Sequence, residues 1–294
     1  MRILLTGKNG QVGWELQRAL APLGEITACD REELDLNDIS QVRARIHELQ
    51  PQLIVNAAAY TAVDRAEAEP EIAMKINATA PAAMAEAAQQ VGALFVHYST
   101  DYVFDGTSRE PYTEDHAPNP MNVYGKTKLA GEQAISSSGA SYLIFRTSWV
   151  YGTRGKNFLL TILRLARERS ELTIVNDQIG APTWSRDIAE ATARIVSSMD
   201  TEKNLAAAAS KFSGIYNLTA SGQTSWFGFA ELALASAKLL DTISLKPLTT
   251  SEYKTPARRP LYSLLDSSRF TRTFGFTMPV WQISAAAVCK EIST

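Results

Sequence analysis

The sequence predicts an α/β fold, a doubly wound parallel sheet with a smaller, interleaved α/β domain towards the C-terminus. The segment Arg2–Thr6 is short and apolar and contains a β-branched residue, as expected of a buried parallel strand. A glycine-rich turn follows it at once, and a stretch with helical spacing of apolar residues follows the turn. Short apolar segments and helical segments continue to alternate beyond it, which is the pattern of strand–helix–strand units.

Composition argues against several functional classes. The 294 residues allow one large domain or two unequal ones, and 45% hydrophobic with 20% charged residues is typical of a soluble globular protein. The 29 basic and 31 acidic residues nearly cancel and form no block of like charge, which gives no support to binding of nucleic acid or a membrane surface. Two cysteines suggest no disulfide framework, and three scattered histidines lack zinc-ligand spacing. No signal peptide or membrane-spanning run is evident, so we expect a cytoplasmic protein.

The glycine-rich turn predicts a dinucleotide site of the Rossmann type. Gly7, Gly10 and Gly13 lie between the first strand and a helix expected over residues 14–23. Gly7 would permit the tight turn, Gly10 would let the backbone approach a pyrophosphate at the positive end of the helix, and Gly13 would let helix and strand pack closely. The spacing is G-x-x-G-x-x-G, a variant of the usual G-x-G-x-x-G.

The end of the second predicted strand bears on the choice of cofactor. Glu25–Cys29 is followed by Asp30, about twenty residues past the glycines, where a carboxylate can accept hydrogen bonds from adenosine ribose hydroxyls. Asp30 therefore favours NAD unless it is a plain turn residue, whereas Arg31 beside it could hold a 2′-phosphate and favours NADP. The sequence leaves this choice open. Asp35 and Leu36 then lead into the next helix.

Small and polar residues end the next two strands. The strand expected at residues 53–55 ends in alanines at 57–59, which let a flat ligand lie close to the sheet or let a helix pack tightly. On the alanine-rich helix that follows, Asn77 is either a polar anchor for the active-site backbone or a solvated side chain. The strand at residues 94–97 leads to Tyr98, Ser99 and Thr100, where α/β enzymes place their chemistry, and we expect His97 to be a satisfied buried histidine.

Tyr124 and Lys128 form a candidate acid–base pair. Four residues apart, they lie one turn apart on one face of a predicted helix. A phenol has a pKa of about 10, and an ammonium one turn away is expected to lower it, making Tyr124 usable as an acid–base group. The spacing alone is a weak signal, because a solvated lysine beside a half-buried tyrosine gives the same pattern.

We expect residues 1–150 to form the dinucleotide-binding domain and residues 151–294 to form mainly a substrate-binding domain, with later segments able to return to the first. Residues 203–213 have no clear period and are expected to be a surface connection. Arg258 and Arg259 suit a diphosphate, although a solvated basic pair is the alternative. The remaining expected elements are helices at 157–167, 187–197, 224–240 and 279–292 and strands at 172–175 and 215–218.

These motifs together resemble the extended short-chain dehydrogenase/reductase superfamily, and finer motifs resemble its dTDP-4-dehydrorhamnose reductase family. The match is spread over most of the chain and is most specific up to Thr183. The finer motifs are G-K-N-G-Q-V-G-W-E-L-Q at 7–17, V-N-A-A-A-Y-T-A-V-D at 55–64, H-Y-S-T-D-Y-V-F-D-G at 97–106, N-V-Y-G-K-T-K-L-A-G-E at 122–132, F-R-T-S-W-V-Y at 145–151, N-D-Q-I-G-A-P-T at 176–183 and R-R-P-L-Y-S-L-L-D at 258–266.

The resemblance implies roles for individual residues. Tyr124 would protonate the C4 carbonyl oxygen of a sugar, Lys128 would hold the nicotinamide ribose and lower the pKa of Tyr124, and Thr100 would hydrogen-bond the same oxygen. Asp101 and Trp149 would face the deoxysugar, although Trp149 could equally be core, and Arg259 is assigned to the nucleotide half of the substrate. The implied NADPH or NADH site comprises Gly7, Gly10, Gln11, Val12, Gly13, Asp30, Arg31, Asp35, Leu36, Ala57, Ala58, Ala59, Thr61, Tyr98, Tyr124 and Lys128.

The implied reaction is NAD(P)H-dependent reduction of the C4 ketone of dTDP-4-dehydro-β-L-rhamnose to dTDP-β-L-rhamnose, the last step of dTDP-L-rhamnose biosynthesis. Related dehydratases carry Asp-Glu after the active-site threonine, but Tyr102 follows Asp101 here. Related epimerases usually begin G-G-x-G-F-I-G and keep their NAD bound, which this chain's opening glycine pattern does not match. The alternatives are another nucleotide-sugar reductase or epimerase of the superfamily, or a non-catalytic NADP-binding regulatory subunit.

The resemblance also raises the question of a metal. Some members of the family are associated with Mg²⁺ that supports dimerisation through acidic residues, for which Glu15 is the candidate here. Arg186 stands where an acidic ligand is expected, so we assign no metal ligand, and a metal-independent homodimer or a monomer is expected instead.

Overall fold

The strands and helices alternate along the chain in the computed structural model, which describes residues 1–199 and 204–293. The strands are β1 (Arg2–Thr6), β2 (Glu25–Cys29), β3 (Leu53–Asn56), β4 (Leu94–Thr100), β5 (Ser141–Thr147), β6 (Val150–Tyr151), β7 (Glu171–Val175), β8 (Ile179–Gly180), β9 (Thr183–Trp184), β10 (Gly214–Asn217), β11 (Thr224–Ser225) and β12 (Ser244–Leu248). The helices are α1 (Gln11–Leu20), α2 (Ile39–Leu49), α3 (Val63–Ala66), α4 (Pro70–Met74), α5 (Ala80–Val91), α6 (Val123–Ser136), α7 (Phe158–Glu168), α8 (Ser185–Ser198), α9 (Leu205–Ser210), α10 (Trp226–Ser236), α11 (Ser268–Phe274) and α12 (Trp281–Ser293).

The central sheet confirms the predicted fold class. Its six strands are all parallel and lie in the order β10-β5-β4-β3-β1-β2. From β1 the chain proceeds first to β2 on one side and then to β3 on the other, so the strand order reverses between β1 and β3. In open α/β sheets the crevice at the carboxyl ends of the strands beside such a reversal is where ligands bind.

Both faces of the sheet are covered by helices. Alternate side chains of each strand point to opposite faces, so Leu5 packs with α1 and α8 while Leu4 packs with α2 and α5. A third apolar cluster, which includes Leu159, Phe229 and Val288, joins α7, α10 and α12. None of the helices in the described ranges has the length and apolar character needed to cross a membrane.

Segments from the second half of the chain contact the central sheet. The strand β10 pairs with β5, with Tyr216 opposite Phe145, and α8 packs against α1 through Ile188 and Ile195. The expectation for residues 203–213 was wrong in part: Leu205–Ser210 is a helix that buries Leu205 and Ala209 in the core. Its run of alanines hides the polar–apolar contrast that would reveal a helical period. Residue 203 lies outside the described residues.

Candidate active site

The glycine-rich turn lies at the strand-order reversal. Gly7 has φ +77° and its N–H donates to the Cys29 carbonyl at 2.9 Å. A Cβ at Gly7 would approach the backbone of Ala57 and Ala58 to 2.7–2.8 Å, and a Cβ at Gly13 would lie 2.0 Å from the Gly7 carbonyl oxygen. No L side chain fits at either position, because the atoms in the way are backbone atoms. The turn therefore brings α1 directly against the small residues that follow β3.

The N-terminus of α1 is suited to an anion. Gly10 caps this ten-residue helix without a side-chain hydrogen bond, which leaves first-turn amides available to a ligand. Two hydrogen bonds hold the side chain of Gln11 in place. Its Nε2 donates to the Val150 carbonyl at 3.4 Å, and its Oε1 accepts from Asn157 Nδ2 at 2.9 Å. Val12 packs against the apolar core.

Asp30 and Arg31 lie in different surroundings beyond β2. The Asp30 carboxylate accepts from Asn9 Nδ2 at 2.9 Å and from the Glu32 N–H at 3.0 Å. The Arg31 side chain is 80% exposed and lies 4.0 Å from Asp35. Asp30 is thus held in place while Arg31 extends into solvent, so the geometry permits either a ribose hydroxyl or a 2′-phosphate at this edge. Leu36 is buried in the core and Thr61 is exposed, so only the latter side chain can reach a ligand without rearrangement.

Asn77 is an anchor, the first of its two expected roles. It is fully buried in a π-helical segment, Lys75–Thr79, that joins α4 to α5. Its Oδ1 accepts from the Tyr60 N–H at 2.8 Å, and its Nδ2 donates to the Tyr60 carbonyl at 3.1 Å and to Thr127 Oγ1 at 3.1 Å. The loop after β3 is thereby tied to α6, the helix that carries Tyr124 and Lys128.

Thr100, Tyr124 and Lys128 come together where β4 ends beside α6. Asn122 caps α6 by accepting from the Gly125 N–H at 2.8 Å, which places Tyr124 in the first turn. Burial raises the pKa of Tyr124 to about 12, an effect that a hydrogen bond with Thr100 opposes and the negative charge of Asp101 reinforces.

The expected lowering of the Tyr124 pKa by Lys128 was wrong for this arrangement, because Lys128 is engaged elsewhere. Its Nζ donates to the Tyr98 carbonyl at 2.6 Å and lies 3.0 Å from His97 Nε2. Burial also lowers the pKa of Lys128 itself, to about 8. Tyr98 turns its own hydroxyl into the core, 2.8 Å from Thr192 Oγ1, so it offers the cleft backbone atoms only.

Asp101 places a buried carboxyl beside Thr100. It is 1% exposed, and its Oδ1 accepts from Thr100 Oγ1 at 3.0 Å. Burial raises the pKa of Asp101 to about 6, although the hydroxyls of Ser263 and Thr100 partly offset this. A carboxyl that is costly to ionise, at the end of the central strand, is typical of a functional site rather than of a stabilising core.

Trp149 and Arg259 are both held by partners that spacing could not reveal. Trp149 stacks on Trp226, with ring centroids 3.6 Å apart, and sequence reasoning missed Trp226 altogether. Arg259 forms a two-pronged ion pair with Asp64, at 2.8 and 3.0 Å, and also donates to the Ala257 carbonyl at 2.7 Å. Its contact with a substrate diphosphate stays a prediction, since Asp64 already neutralises its charge.

Glu15 forms an ion pair with Arg186, the residue at the position where an acidic metal ligand was expected. Arg186 donates to Glu15 at 3.2 and 3.4 Å and to Glu291 at 2.7 Å. Within residues 1–199 and 204–293 there is no cluster of three or more histidine, cysteine, aspartate or glutamate side chains that could hold a metal ion. The carboxylate that was the candidate ligand is therefore neutralised by a guanidinium.

Comparisons with known proteins agree with one another. The family model described as RmlD substrate binding domain matches residues 1–294. The dTDP-4-dehydrorhamnose reductase of Escherichia coli K12 is 47% identical over 302 residues, covering 100% of this chain and 99% of that protein. The crystal structure of a dTDP-4-dehydrorhamnose reductase from Clostridium acetobutylicum superposes with a TM-score of 0.92 at 36% identity, covering 100% of both chains. The structure of the Bacillus anthracis dTDP-4-dehydrorhamnose reductase, solved in complex with NADP, superposes with a TM-score of 0.89 at 38% identity and covers 99% of both chains.

Proposed function

The chain belongs to the dTDP-4-dehydrorhamnose reductase family, and on that premise we propose that it reduces the C4 ketone of dTDP-4-dehydro-β-L-rhamnose to dTDP-β-L-rhamnose with NADPH or NADH. It is an NAD(P)H-dependent oxidoreductase, and this is the last step of dTDP-L-rhamnose biosynthesis. The observation that carries the proposal is the convergence of Thr100, Tyr124 and Lys128 at the carboxyl edge of the sheet, the edge that also carries the glycine-rich turn, in a chain that is similar to these reductases over its full length.

The residues at the strand-order reversal fit a dinucleotide. A Cβ would fill the turn at Gly7 and Gly13, and the first-turn amides of α1 are not capped by a side chain. Asp30 is positioned for a ribose and Arg31 for a 2′-phosphate, and both cofactors occur in structures of related fold. The bound reduced nicotinamide supplies the hydride for the ketone.

Three side chains act on the carbonyl oxygen of the substrate or on each other. Tyr124, whose pKa is raised to about 12, holds its proton at neutral pH and donates it to the C4 oxygen. Thr100 donates a second hydrogen bond to that oxygen and stabilises its developing charge. Lys128 holds the nicotinamide ribose and, when charged, favours transfer of the Tyr124 proton.

The sugar and nucleotide contacts rest on residues around the same edge of the sheet. Asp101 accepts from sugar hydroxyls, and the indole of Trp149 offers an apolar face to the 6-deoxy methyl group. Arg259 reaches the diphosphate from the loop at 255–259, with Asp64 fixing the plane of its guanidinium. Residues 1–150 are proposed as the dinucleotide-binding domain and 151–294 as mainly the substrate domain, in a cytoplasmic enzyme that is a homodimer or a monomer.

The test is oxidation of NADPH and of NADH, in parallel, by the purified protein with dTDP-4-dehydrorhamnose. We expect oxidation of at least one cofactor. The ratio of the two rates reports whether the ribose contact of Asp30, which favours NADH, or the 2′-phosphate contact of Arg31, which favours NADPH, dominates. Tyr124→Phe should lower kcat by about 10²–10⁴-fold, the usual contribution of a positioned acid, while cofactor affinity stays nearly unchanged. Tyr142→Phe, which alters a tyrosine at the start of the strand β5, is the matched control and should be fully active.

Two outcomes would redirect the proposal. Full activity of Tyr124→Phe would remove the assigned acid. Binding of a cofactor without oxidation would point to a different nucleotide sugar or to a regulatory subunit that binds NADP, although a pure binding subunit has no need of Thr100, Tyr124 and Lys128 together.

A further inference from the structure

A row of three buried polar side chains lies beneath the candidate active site. Asn56 ends β3, His97 lies in β4 and Lys128 lies on α6, and none of them is more than 1% exposed. Asn56 Nδ2 lies 3.1 Å from His97 Nδ1, and His97 Nε2 lies 3.0 Å from Lys128 Nζ. The mechanism above uses Lys128 but gives no task to the other two.

The backbone fixes the orientation of the Asn56 amide. The Ala58 N–H, which can only donate, lies 3.2 Å from Asn56 Oδ1, and the Thr6 hydroxyl donates to the same oxygen at 2.7 Å. The oxygen therefore faces Ala58, and the amide nitrogen faces His97. Because an amide nitrogen can only donate, His97 Nδ1 must be the acceptor of that hydrogen bond.

The orientation of Asn56 in turn fixes the tautomer of His97. Burial, the larger cause, holds the pKa of His97 well below its usual range, and a charged Lys128 lowers it further, so the ring is neutral and carries one proton. Since Nδ1 accepts, the proton lies on Nε2 and points at Lys128 Nζ. An ammonium has no lone pair to receive it, whereas a neutral amine accepts that proton and still donates to the Tyr98 carbonyl.

Few other charges act on this amine. On its own helix, Glu132 favours the charged form, but its carboxylate forms a two-pronged ion pair with Arg146 of β5, at 2.6 and 2.9 Å. Tyr124, on the same helix, is a neutral phenol, and Asp101 lies beyond the end of β4 with its carboxyl turned to Thr100. Thr127, the neighbour of Lys128 on α6, and Asn77, which donates to Thr127, carry no charge. Burial therefore prevails and lowers the pKa of Lys128 to about 8.

We propose that Asn56 and His97 are positioning residues that favour the neutral amine of Lys128 until the cofactor binds, so that at alkaline pH cofactor binding is coupled to the uptake of up to one proton. The inference rests on the proposed function for its second half. An anionic dinucleotide favours the charged form of a nearby amine. When Lys128 becomes an ammonium it takes the proton of Nε2, the incoming proton resides on Nδ1, and the Asn56 amide turns its oxygen to the ring. That turn releases the N–H of Ala58 towards the cleft.

The tautomer is measured directly on the protein without cofactor. Long-range proton–nitrogen NMR spectra distinguish Nε2–H from Nδ1–H in a neutral imidazole, and the chain has only three histidines to assign. At pH 9, where Lys128 is mostly neutral, we expect one neutral Nε2–H ring, which disappears from the spectrum of His97→Gln and does not become an imidazolium as the pH is lowered towards 6. A neutral Nδ1–H ring at pH 9, or a His97 that becomes an imidazolium in the usual range of a histidine, would overturn the proposal whatever the protein binds.

The coupling is measured by calorimetry of NADPH binding in two buffers of different ionisation enthalpy. At pH 8 we expect uptake of about half a proton per NADPH, increasing as the pH is raised towards 9, because free Lys128 is then mostly neutral. In His97→Gln the amide oxygen can accept from an ammonium, so uptake should fall towards zero while NADPH still binds. His47→Gln, at an exposed histidine of α2, is the matched control and should behave as the wild type.

The possible failures are distinguishable. NADPH binding whose heat is the same in both buffers, or an uptake unchanged in His97→Gln, would overturn the coupling. Absence of any NADPH binding by the wild-type protein would instead contradict the proposed function, and the NMR result would still decide the state of His97.

Discussion

The indole of Trp149 lies flat against that of Trp226, with ring centroids 3.6 Å apart and ring planes 7° apart. Trp149 has φ +48°, a conformation that is rare and strained for a bulky residue. Trp226 is fixed in turn because its Nε1 donates to Gln178 Oε1 at 3.2 Å. Behind the stack, a Cβ at Gly180 would lie 2.6 Å from the Trp149 ring. The indole that we propose faces the sugar is thus held by packing against a residue 77 positions further along the chain.

Replacing Trp226 by alanine should release Trp149. An aromatic pair contributes about 0.5–1.5 kcal/mol beyond its buried area, so we expect KM for the nucleotide sugar to rise by about 2–12-fold with NADPH affinity unchanged. Steady-state kinetics and circular dichroism, in which stacked indoles give a coupled pair of bands, are the measurements. Trp226→Phe keeps an aromatic partner and should keep KM near the wild-type value. An unchanged KM in Trp226→Ala, with the coupled bands lost, would contradict the role given to the stack.

Removing one partner of the buried pair between Glu132 and Arg146 should be strongly destabilising. Their side chains are 1% and 2% exposed, so Glu132→Gln leaves a guanidinium buried without its counter-charge. We expect the free energy of unfolding to fall by about 3–5 kcal/mol in urea titrations. The control is Glu168→Gln, which breaks a pair whose side chains are at least half exposed and should cost less than about 0.5 kcal/mol. Similar losses in the two variants would show that burial is not the cause.

The activity should not depend on a divalent metal. The Glu15 carboxylate is paired with Arg186, and a cation would have to displace that guanidinium to bind. We expect the rate of NADPH oxidation to be the same with and without EDTA. Arg186→Ala, which exposes the carboxylate without supplying new ligands, should be equally insensitive. Loss of activity in EDTA that added Mg²⁺ restores would overturn this expectation.

The parts of the site that the sequence could predict are the local ones. The turn at Gly7 and the helical spacing of Tyr124 and Lys128 depend on neighbours in the chain, so short-range rules suffice to find them. The ion pair of Arg259 with Asp64 joins residues 195 positions apart, and no spacing rule connects them. The strand β12 was not predicted for a related reason: it contains a proline and is held by pairing with β7. Family resemblance supplied roles for Asp101 and Trp149 that periodicity could not.

The pKa values of the site residues could not be predicted from the sequence for a further reason. The helical spacing of Tyr124 and Lys128 implied that the ammonium would act on the phenol, but pKa values depend on burial and on every neighbouring dipole. In the fold, burial raises the pKa of Tyr124, and Lys128 is directed to His97 and the Tyr98 carbonyl. Those contacts come from β4, and their geometry follows from the sheet rather than from the helix.

Asp101→Asn should stabilise the protein at neutral pH while impairing substrate binding. The folded-state pKa of Asp101 is raised to about 6 from an ordinary value of 3.8, so between these two pH values the folded chain binds more protons than the unfolded chain. The free energy of unfolding therefore falls as the pH rises through that window, by up to about 3 kcal/mol in all, and the full penalty is present above pH 6. Asparagine carries no charge and can still accept from Thr100 Oγ1. Urea titrations should show the variant more stable than the wild type at about pH 7, with the difference shrinking towards pH 4.

The control is Asp187→Asn, because burial also raises the pKa of Asp187 to about 6 but its carboxylate accepts from Ser284 in the second half of the chain. That control should gain similar stability and keep its affinity for the nucleotide sugar, whereas Asp101→Asn should lose affinity for the sugar and keep its affinity for NADPH. If Asp101→Asn is no more stable than the wild type at pH 7, the Asp101 carboxylate is adequately solvated, and its burial does not destabilise the folded protein.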